Sequence, residues 1–341
     1  MTIRVLVIDD SATMRALLTA RLSAESDIEV VGAAADAAQG REAIKRLNPD
    51  VVTLDIEMPG MNGLDFLEKI MQLRPTPVII VSGSTSEGAA NTARALALGA
   101  VDCYAKSEHG GGLAHDDGGK LANLVREAAE VNFSGRRSAR HDAASRTMAA
   151  MARDTELIVV GSSTGGVEAL QVMLREFPAD CPPTMIVQHV NARFAPAIAN
   201  TLDAICPARV EIAQPDMPLR RGHVYLAPGD DRHMLVGGTS KHYVKLRPGP
   251  AVSGHQPSVD VLFRSAAEVC GDRAVGVLLT GMGQDGAQGL FALASMGAYT
   301  IAQDEASCTV FGMPRAAIAL GAAQVVAPLH RIARHALQKA A

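Results

Sequence analysis

The chain has 341 residues, of which 48% are hydrophobic and 20% charged, the balance of a globular protein with room for two domains. Its net charge of −4 argues against nucleic-acid binding, and no apolar run approaches the roughly 18 residues of a membrane-spanning helix, so we expect no direct membrane insertion. The five cysteines are scattered without paired spacing, which argues against a disulfide framework or a zinc site and predicts a cytoplasmic protein.

Charged residues are distributed unevenly along the chain. Residues 1–131 contain 12 Lys and Arg against 19 Asp and Glu, whereas residues 132–153 contain five Arg, one Asp and no sustained hydrophobic period. Such a short basic stretch is more typical of a solvated linker than of a DNA-binding arm. We therefore predict a first domain over residues 1–125, a linker over residues 126–153 and a second domain over residues 154–341.

Apolar segments alternate with helical patterns through the first 131 residues. Strands are predicted at residues 4–8, 29–33, 51–54, 78–81 and 101–105, and helices at residues 12–24, 37–47, 63–71, 89–98 and 121–131. Because the strands are mostly apolar rather than alternating, we expect helices to cover both faces of their sheet. The first domain is therefore predicted to be α/β, with five βα units and a doubly wound parallel sheet.

The same alternation resumes after residue 156. Strands are predicted at residues 157–160, 184–188, 209–212, 224–227, 244–246, 274–279, 298–301 and 324–327, with helices between several of them. Residues 222–247 are predicted to form a hairpin-like insert with Gly237 and Gly238 in its turn. The second domain is therefore predicted to be another doubly wound, mainly parallel α/β domain.

Polar residues stand at the carboxyl ends of the strands of the first domain. Asp9 and Asp10 end the first strand, Asp55 the third, Ser82 the fourth and Lys106 the fifth. Because these ends meet at one edge of a parallel sheet, we expect the side chains to converge. Three carboxylates suit Mg²⁺, and a lysine with a hydroxyl suits a transferred phosphoryl group. The alternative is that these are ordinary solvated loop residues. That alternative could account for any one of the five residues, but less well for all five at successive strand ends.

With the segment Met58-Pro59-Gly60-Met61 and Gly63, these residues resemble the receiver domain of bacterial response regulators over roughly residues 1–125. The resemblance implies a flavodoxin-like (βα)5 fold and a CheA-type histidine kinase as phosphodonor. The implied residue roles are Asp55 as the phospho-acceptor, Asp9, Asp10, Asp55 and the main-chain carbonyl of Glu57 as Mg²⁺ ligands, and Ser82 and Lys106 as phosphate contacts. Two positions depart from the family: Cys103 replaces a common aromatic residue, and Ser107 replaces the usual proline.

In the second domain, the segment Gly161-x-Ser163-x-Gly165 follows an apolar strand and precedes a helical pattern. A strand, a tight turn and a helix N-terminus are how a serine nucleophile is presented. An anion- or dinucleotide-binding loop is the alternative, but such a fold needs an acid at the end of its second strand. The sequence places Gln188 and His189 there, and His189 can act as a general base for Ser163.

Asp285 is the only acid in the glycine-rich turn after the strand at residues 274–279. We interpret it as the third member of a Ser–His–Asp triad, although aspartate also occurs in turns for conformational reasons. Backbone N–H groups near Thr164 and Met282 are predicted to face the oxyanion. The order Ser163, His189, Asp285 differs from that of α/β-hydrolases, which favours a different doubly wound fold.

Residues 157–341 resemble the catalytic domain of CheB-type chemotaxis protein-glutamate methylesterases. The resemblance is carried by residues 161–166, 188–189, 255–263, 279–286 and 306–315. It implies hydrolysis of glutamate γ-methyl esters on methyl-accepting chemoreceptors, deamidation of glutamines in some relatives, activation by phosphorylation, and no cofactor for the esterase reaction. Ser162 and Gln284 stand where relatives often carry Ala and Asn.

Two other classes of protein are alternatives to this interpretation. A transcription-type response regulator would have a small basic output domain, whereas the second domain is long and nearly neutral. A scaffold that binds receptors without hydrolysing them is compatible with the sequence, because an intact triad does not by itself demonstrate turnover.

Overall fold

The computed structural model describes residues 2–83, 85–106, 119–131 and 155–337. The chain divides into two compact units, with the division between residues 133 and 134. Within the described ranges, no helix combines the length and the apolar character needed to cross a membrane.

The first unit contains five parallel strands in the order β2-β1-β3-β4-β5. The strands are β1 (Ile3–Ile8), β2 (Ile28–Ala34), β3 (Val51–Asp55), β4 (Val78–Ser82) and β5 (Asp102–Ala105). The helices are α1 (Ala12–Ser23), α2 (Ala37–Leu47), α3 (Gly63–Leu73), α4 (Ser86–Ala97) and α5 (Lys120–Ala129). The predicted α/β fold of five βα units is confirmed.

Local sequence explains where these elements begin and end. Strands β3 and β4 are buried along their whole length, as expected for apolar strands covered on both faces. Four helices begin at side-chain N-caps that accept backbone N–H groups: Ser11, Asp36, Asn62 and Thr85. Each such cap contributes about 1 kcal/mol, so the helices start directly after the loops that carry the polar residues.

The end of α5 corrects one predicted boundary. Residues 126–129, which the sequence assigned to the linker, belong to this helix. Arg126 pairs there with Glu25 at 2.6 Å and with Asp27 at 2.7 Å, which holds the end of α5 against the α1–β2 connection. Residues 132–153 of the predicted linker lie outside the described residues, so that part stays a prediction.

The second unit contains seven parallel strands in the order β14-β13-β12-β6-β7-β9-β8 and an antiparallel pair, β10-β11. The strands are β6 (Leu157–Ser162), β7 (Thr184–Gln188), β8 (Arg209–Ile212), β9 (His223–Leu226), β10 (Arg232–Gly237), β11 (Tyr243–Pro248), β12 (Ala274–Leu278), β13 (Tyr299–Gln303) and β14 (Val325–Ala327). The helices are α6 (Gly166–Leu174), α7 (Ala195–Asp203), α8 (Val259–Cys270), α9 (Ala287–Ser295), α10 (Met313–Ala319) and α11 (Leu329–Leu337).

The hairpin-like insert is shorter than predicted. Its paired residues run from Arg232 to Pro248, whereas β9 at the start of the predicted insert belongs to the seven-stranded sheet. Strand β10 was not predicted, because its polar start, Arg232 and His233, lacks the apolar character of the other strands. The predicted turn is present after Gly237, and Gly238 adopts a φ of +86°, which favours glycine.

Helix α8 anchors the core of the second unit. It packs against α9, the β10 strand and β6, and Phe263 at its centre is fully buried. A Cβ atom at Gly289 of α9 would lie 2.6 Å from Phe263 Cβ, so the two helices meet closely at a glycine. The position of α8 matters for function because its first residues contact Asp285, as described below.

Truncating this buried ring tests the role of α8. We expect Phe263→Ala to lower the free energy of unfolding of the second unit by about 3–5 kcal/mol, since it leaves a cavity between the helices. Phe291→Ala is the matched control, because this side chain on α9 is 47% exposed and its loss is expected to cost about 0.5 kcal/mol or less. Urea unfolding followed by far-ultraviolet circular dichroism measures both, and equal shifts would contradict the assignment.

Candidate active site and acidic pocket

The polar residues of the first unit converge where the strand order reverses, between β1 and β3. Carboxylate oxygens of Asp9, Asp10 and Asp55 all lie within 4.8 Å of one another. Asp9 and Asp55 are buried, whereas Asp10 is exposed, so the pocket opens to solvent on the side of Asp10. The predicted convergence of the three carboxylates is confirmed.

Lys106 provides the positive charge of this acidic pocket. Its Nζ lies 2.7 Å from Asp55 Oδ2 and 3.0 Å from Asp9 Oδ2. Burial raises the pKa of Asp55, and the charge of Asp9 adds to this effect, while Lys106 opposes it. Burial alone would lower the pKa of Lys106, but its two carboxylate partners raise it. One lysine thus faces three carboxylates, an all-oxygen donor set with an excess of negative charge, which fits a hard cation such as Mg²⁺.

The remaining residues predicted for this pocket lie at its border. Ser82 is buried at the end of β4, where its Oγ donates to the carbonyl oxygen of Gly88 at 3.2 Å. The Ser82 carbonyl accepts from the Lys106 N–H at 2.7 Å, which fixes the two strand ends together. Glu57 is exposed, and its N–H donates to Asp55 Oδ1 at 3.2 Å. The assignment of its carbonyl as a metal ligand stays a prediction.

Strand β5 has its aromatic residue, Tyr104, one position after Cys103, where the receiver family commonly has an aromatic residue. Cys103 is half-buried, while the neighbouring Tyr104 is buried and its hydroxyl bonds to Arg21 of α1 at 2.5 Å. Because adjacent strand residues point to opposite faces, this aromatic side chain does not substitute for one at position 103. Ser107, the other departure from the family pattern, lies outside the described residues.

In the second unit, the serine turn lies where the strand order reverses between β6 and β12. The Ser163 N–H donates to the Thr280 carbonyl at 3.0 Å, which ties the turn after β6 to the turn after β12. Gly165 has a φ of +73° and starts α6, and a Cβ there would lie 2.3 Å from Thr309. Only glycine fits this position. Ser163, two residues earlier, is half-buried at a tight strand-to-helix turn, as predicted.

His189 and Asp285 are joined directly. His189 follows β7, and its Nε2 lies 2.9 Å from Asp285 Oδ2. Its backbone N–H donates to the Ser162 carbonyl at 3.0 Å, so the histidine is adjacent to the serine turn. The other ring nitrogen, Nδ1, is buried and has no hydrogen-bond partner among the described residues. With Nε2–H donating to the carboxylate, Nδ1 is the nitrogen that can accept a proton.

The first residues of α8 hold Asp285. Its carboxylate accepts from Ser258 Oγ at 2.8 Å and from the N–H groups of Val259 and Asp260 at 2.7 and 3.1 Å. Burial acts to raise the pKa of Asp285, but the contact with His189 and the donors of α8 lower it below its usual value. The fully buried carboxylate is therefore ionised at neutral pH and orients the histidine.

The two residues predicted for the oxyanion lie beside the serine. Thr164 follows Ser163 directly, and its carbonyl accepts from Thr280 Oγ1 at 3.0 Å. Met282 follows Gly281, where an added Cβ would lie 2.7 Å from Ser163 Cβ. The two turns are therefore in contact, which is the arrangement an oxyanion hole with one donor from each turn requires. Their part in catalysis stays a prediction.

Two further features of this site were not predicted. A buried amide bridge links Gln188 to the residues around it: Ser162 Oγ donates to Gln188 Oε1 at 2.6 Å, and Gln188 Nε2 donates to the carbonyls of Ser163 and His189 at 2.9 and 3.0 Å. The sequence contained a signal for this bridge, since Ser162 departs from the common alanine of the family. Gln188 therefore fixes the main chain of both Ser163 and His189.

The second unpredicted feature is a stacked histidine pair. The rings of His255 and His189 lie 3.8 Å apart with an interplanar angle of 7°. Burial and the neighbouring His189 lower the pKa of His255 to about 4, so this imidazole is neutral at physiological pH. His255 stood in a segment that carried the family resemblance, but the sequence offered no reason to place it on His189. The neutral ring packs flat against the ring of His189.

The lowered pKa of His255 predicts a pH dependence of stability. Between about pH 6.5 and pH 4 the unfolded chain binds a proton that the folded chain excludes, so stability falls as pH drops through this interval. We expect His255→Phe to reduce this fall, as measured by the urea midpoint at pH 7, 5.5 and 4.5. His330→Phe, at an exposed position on α11, is the control and is expected to behave like the unmodified chain. An unchanged pH profile in His255→Phe would contradict the assignment.

Comparison with known proteins bears on both units. The model of the CheB methylesterase family matches residues 158–336, and that of the response regulator receiver domain matches residues 5–115. A Rhizobium etli protein named protein-glutamate methylesterase/protein-glutamine glutaminase is 50% identical over 335 residues, which cover 98% of this chain and 96% of that protein. A Caulobacter vibrioides protein of the same name, numbered 1, is 51% identical over 328 residues, or 94% and 93% of the two chains.

A solved structure agrees with these matches. The CheB methylesterase catalytic domain of Thermotoga maritima is 33% identical to this chain with a TM-score of 0.53, and the match covers 54% of this chain and 98% of that domain. Its extent corresponds to the second unit, while the receiver match falls within the first. The chain therefore belongs to the CheB methylesterase family and carries a response regulator receiver domain.

Proposed function

We propose that this protein hydrolyses glutamate γ-methyl esters on the cytoplasmic helices of methyl-accepting chemoreceptors, and that phosphorylation of Asp55 increases this activity. The observation that carries the proposal is the His189–Asp285 pair beside the serine turn at 163, in a chain that also contains the receiver's acidic pocket. The proposal includes deamidation of glutamine at the same site, since the Rhizobium etli and Caulobacter vibrioides relatives are named as both methylesterase and glutaminase. It places the reaction in the cytoplasm and requires no cofactor for ester hydrolysis.

The reaction begins with attack of Ser163 Oγ on the ester carbonyl carbon. His189 accepts the serine proton at Nδ1, while its Nε2–H remains bonded to the Asp285 carboxylate. The carboxylate stabilises the imidazolium that forms, and the backbone N–H groups of Thr164 and Met282 stabilise the oxyanion. His189 then gives the proton to the departing methanol, and water hydrolyses the acyl-enzyme with His189 again as the base. A glutamine substrate releases ammonia in place of methanol.

The receiver site controls this reaction through phosphoryl transfer from a CheA-type histidine kinase to the Asp55 carboxylate. Lys106 keeps a positive charge beside the attacking oxygen, and Ser82 lies at the adjacent strand end to contact the transferred group. Asp9, Asp10, Asp55 and the Glu57 carbonyl would hold Mg²⁺. When bound, this ion would neutralise the charge of the carboxylates and the phosphoryl oxygens.

Methanol release from methylated receptor membranes tests both parts of the proposal. The unmodified chain is expected to release methanol, and to release more with Mg²⁺ and a small-molecule phosphodonor. Ser163→Ala is expected to abolish release under both conditions because it removes the nucleophile. Asp55→Asn is expected to keep the basal rate and lose the increase. Methanol release that persists in folded Ser163→Ala would refute the mechanism. No methanol release from the unmodified chain would favour a receptor-binding scaffold.

The amide bridge predicts a separate effect on turnover. Gln188→Leu leaves the carbonyls of Ser163 and His189 without their amide donor, and we expect kcat to fall about 100-fold with little change in KM. Ser162→Ala removes only the hydroxyl that orients this amide and is expected to cost about tenfold or less. Gln171→Leu, at another buried glutamine in α6, is the control. A KM effect without a kcat effect would contradict a positioning role.

A further inference from the structure

Three metal-ligating side chains meet at the edge of the second sheet opposite the serine turn. Glu156 directly precedes β6, His242 directly precedes β11, and Cys270 ends α8. One ligand atom from each lies within 4.8 Å of the other two. Strand β6 separates Glu156 from the serine turn by six residues, or about 20 Å of extended chain, so this cluster is distinct from the active site.

The geometry within the cluster suits a tetrahedral ion. His242 Nε2 lies 3.2 Å from Glu156 Oε2. Nitrogen and oxygen ligands at zinc distances of about 2.0–2.1 Å stand about 3.3 Å apart at a tetrahedral centre. This distance is that of a hydrogen bond between the histidine and the carboxylate, and it also matches the separation that such an ion imposes. Cys270 is buried and adds a thiol, the ligand type that selects zinc-like ions over Mg²⁺.

Neighbouring groups orient the carboxylate and balance the charge. Arg273 Nε bonds to Glu156 Oε1 at 2.8 Å, which leaves Oε2 as the atom directed at His242. This guanidinium therefore acts as an outer partner of the carboxylate, as metal ligands commonly require. A carboxylate and a thiolate together match the charge of one divalent ion, and the half-exposed Glu156 leaves a route for the ion and for a water ligand.

We propose that Glu156, His242 and Cys270 bind one divalent transition metal ion of the Zn²⁺ type, with water as the fourth ligand. On binding, the Cys270 S–H bond breaks, its proton passes to solvent and a metal–sulfur bond forms. The ion joins the start of β6, the second strand of the hairpin and the end of α8. Its function is to fix the hairpin and α8 to the sheet rather than to take part in ester hydrolysis.

Cobalt substitution tests this site in the full chain. After treatment with a chelator, titration with Co²⁺ is expected to give the ultraviolet charge-transfer band of a cobalt thiolate and intense visible bands of tetrahedral cobalt, at one ion per chain. Cobalt in the acidic pocket of the receiver would give no thiolate band, since that pocket offers only oxygen ligands. Absence of the thiolate band from the unmodified chain would overturn the proposal.

Variants assign the band to this cluster. Cys270→Ser is expected to remove it, whereas Cys206→Ser, at another buried cysteine of the same unit, is expected to retain it. His242→Gln and Glu156→Gln, at positions with partial exposure, are expected to weaken Co²⁺ binding at least about tenfold. Zn²⁺ is expected to raise the thermal midpoint of the unmodified chain and not that of His242→Gln. A thiolate band that survives in His242→Gln and Glu156→Gln with unchanged affinity would refute the site, even if Cys270→Ser fails to fold.

Discussion

Parallel pairing of the strands is the constraint on which both sites depend. The strand order reverses between β1 and β3 in the first unit and between β6 and β12 in the second. The carboxyl ends of the strands form a crevice at each of these two places. Asp9 and Asp55 flank the first crevice, and the turns of Ser163 and Asp285 flank the second. Residues far apart in the chain become neighbours because the sheet fixes which edge their strands end on.

Two buried aspartates show how surroundings give one residue type different properties. Asp285 receives a hydroxyl, two backbone N–H groups from α8 and the His189 ring, which together outweigh burial and hold its pKa low. Asp55 has burial and the charge of Asp9 acting against Lys106, so its pKa is raised. The first arrangement is complete and suits a permanent anion. The second has surplus negative charge and suits a carboxylate that accepts a cation and a phosphoryl group.

Much of this molecule followed from the sequence because strands and turns are local patterns. The five βα units, the carboxylates after the strands and the serine turn each occupy a few consecutive residues with a characteristic spacing. Strand β10 was not predicted because its polar start, Arg232 and His233, lacks the apolar character of the other strands. The amide bridge of Gln188 and the stacking of His255 on His189 were also not predicted, since both depend on distances between side chains of different elements.

The sequence by itself determined the two α/β units, the positions of their polar strand ends and the family to which those motifs belong. It did so because apolar periodicity and glycine-bearing turns are encoded residue by residue. Only the tertiary structure decided which polar groups lie close enough to form hydrogen bonds and ion pairs or to bind one ion together. The scattered cysteines gave no sign of a metal site, yet folding brings Cys270 to His242 and Glu156, because strand order and helix packing set these distances and local sequence does not.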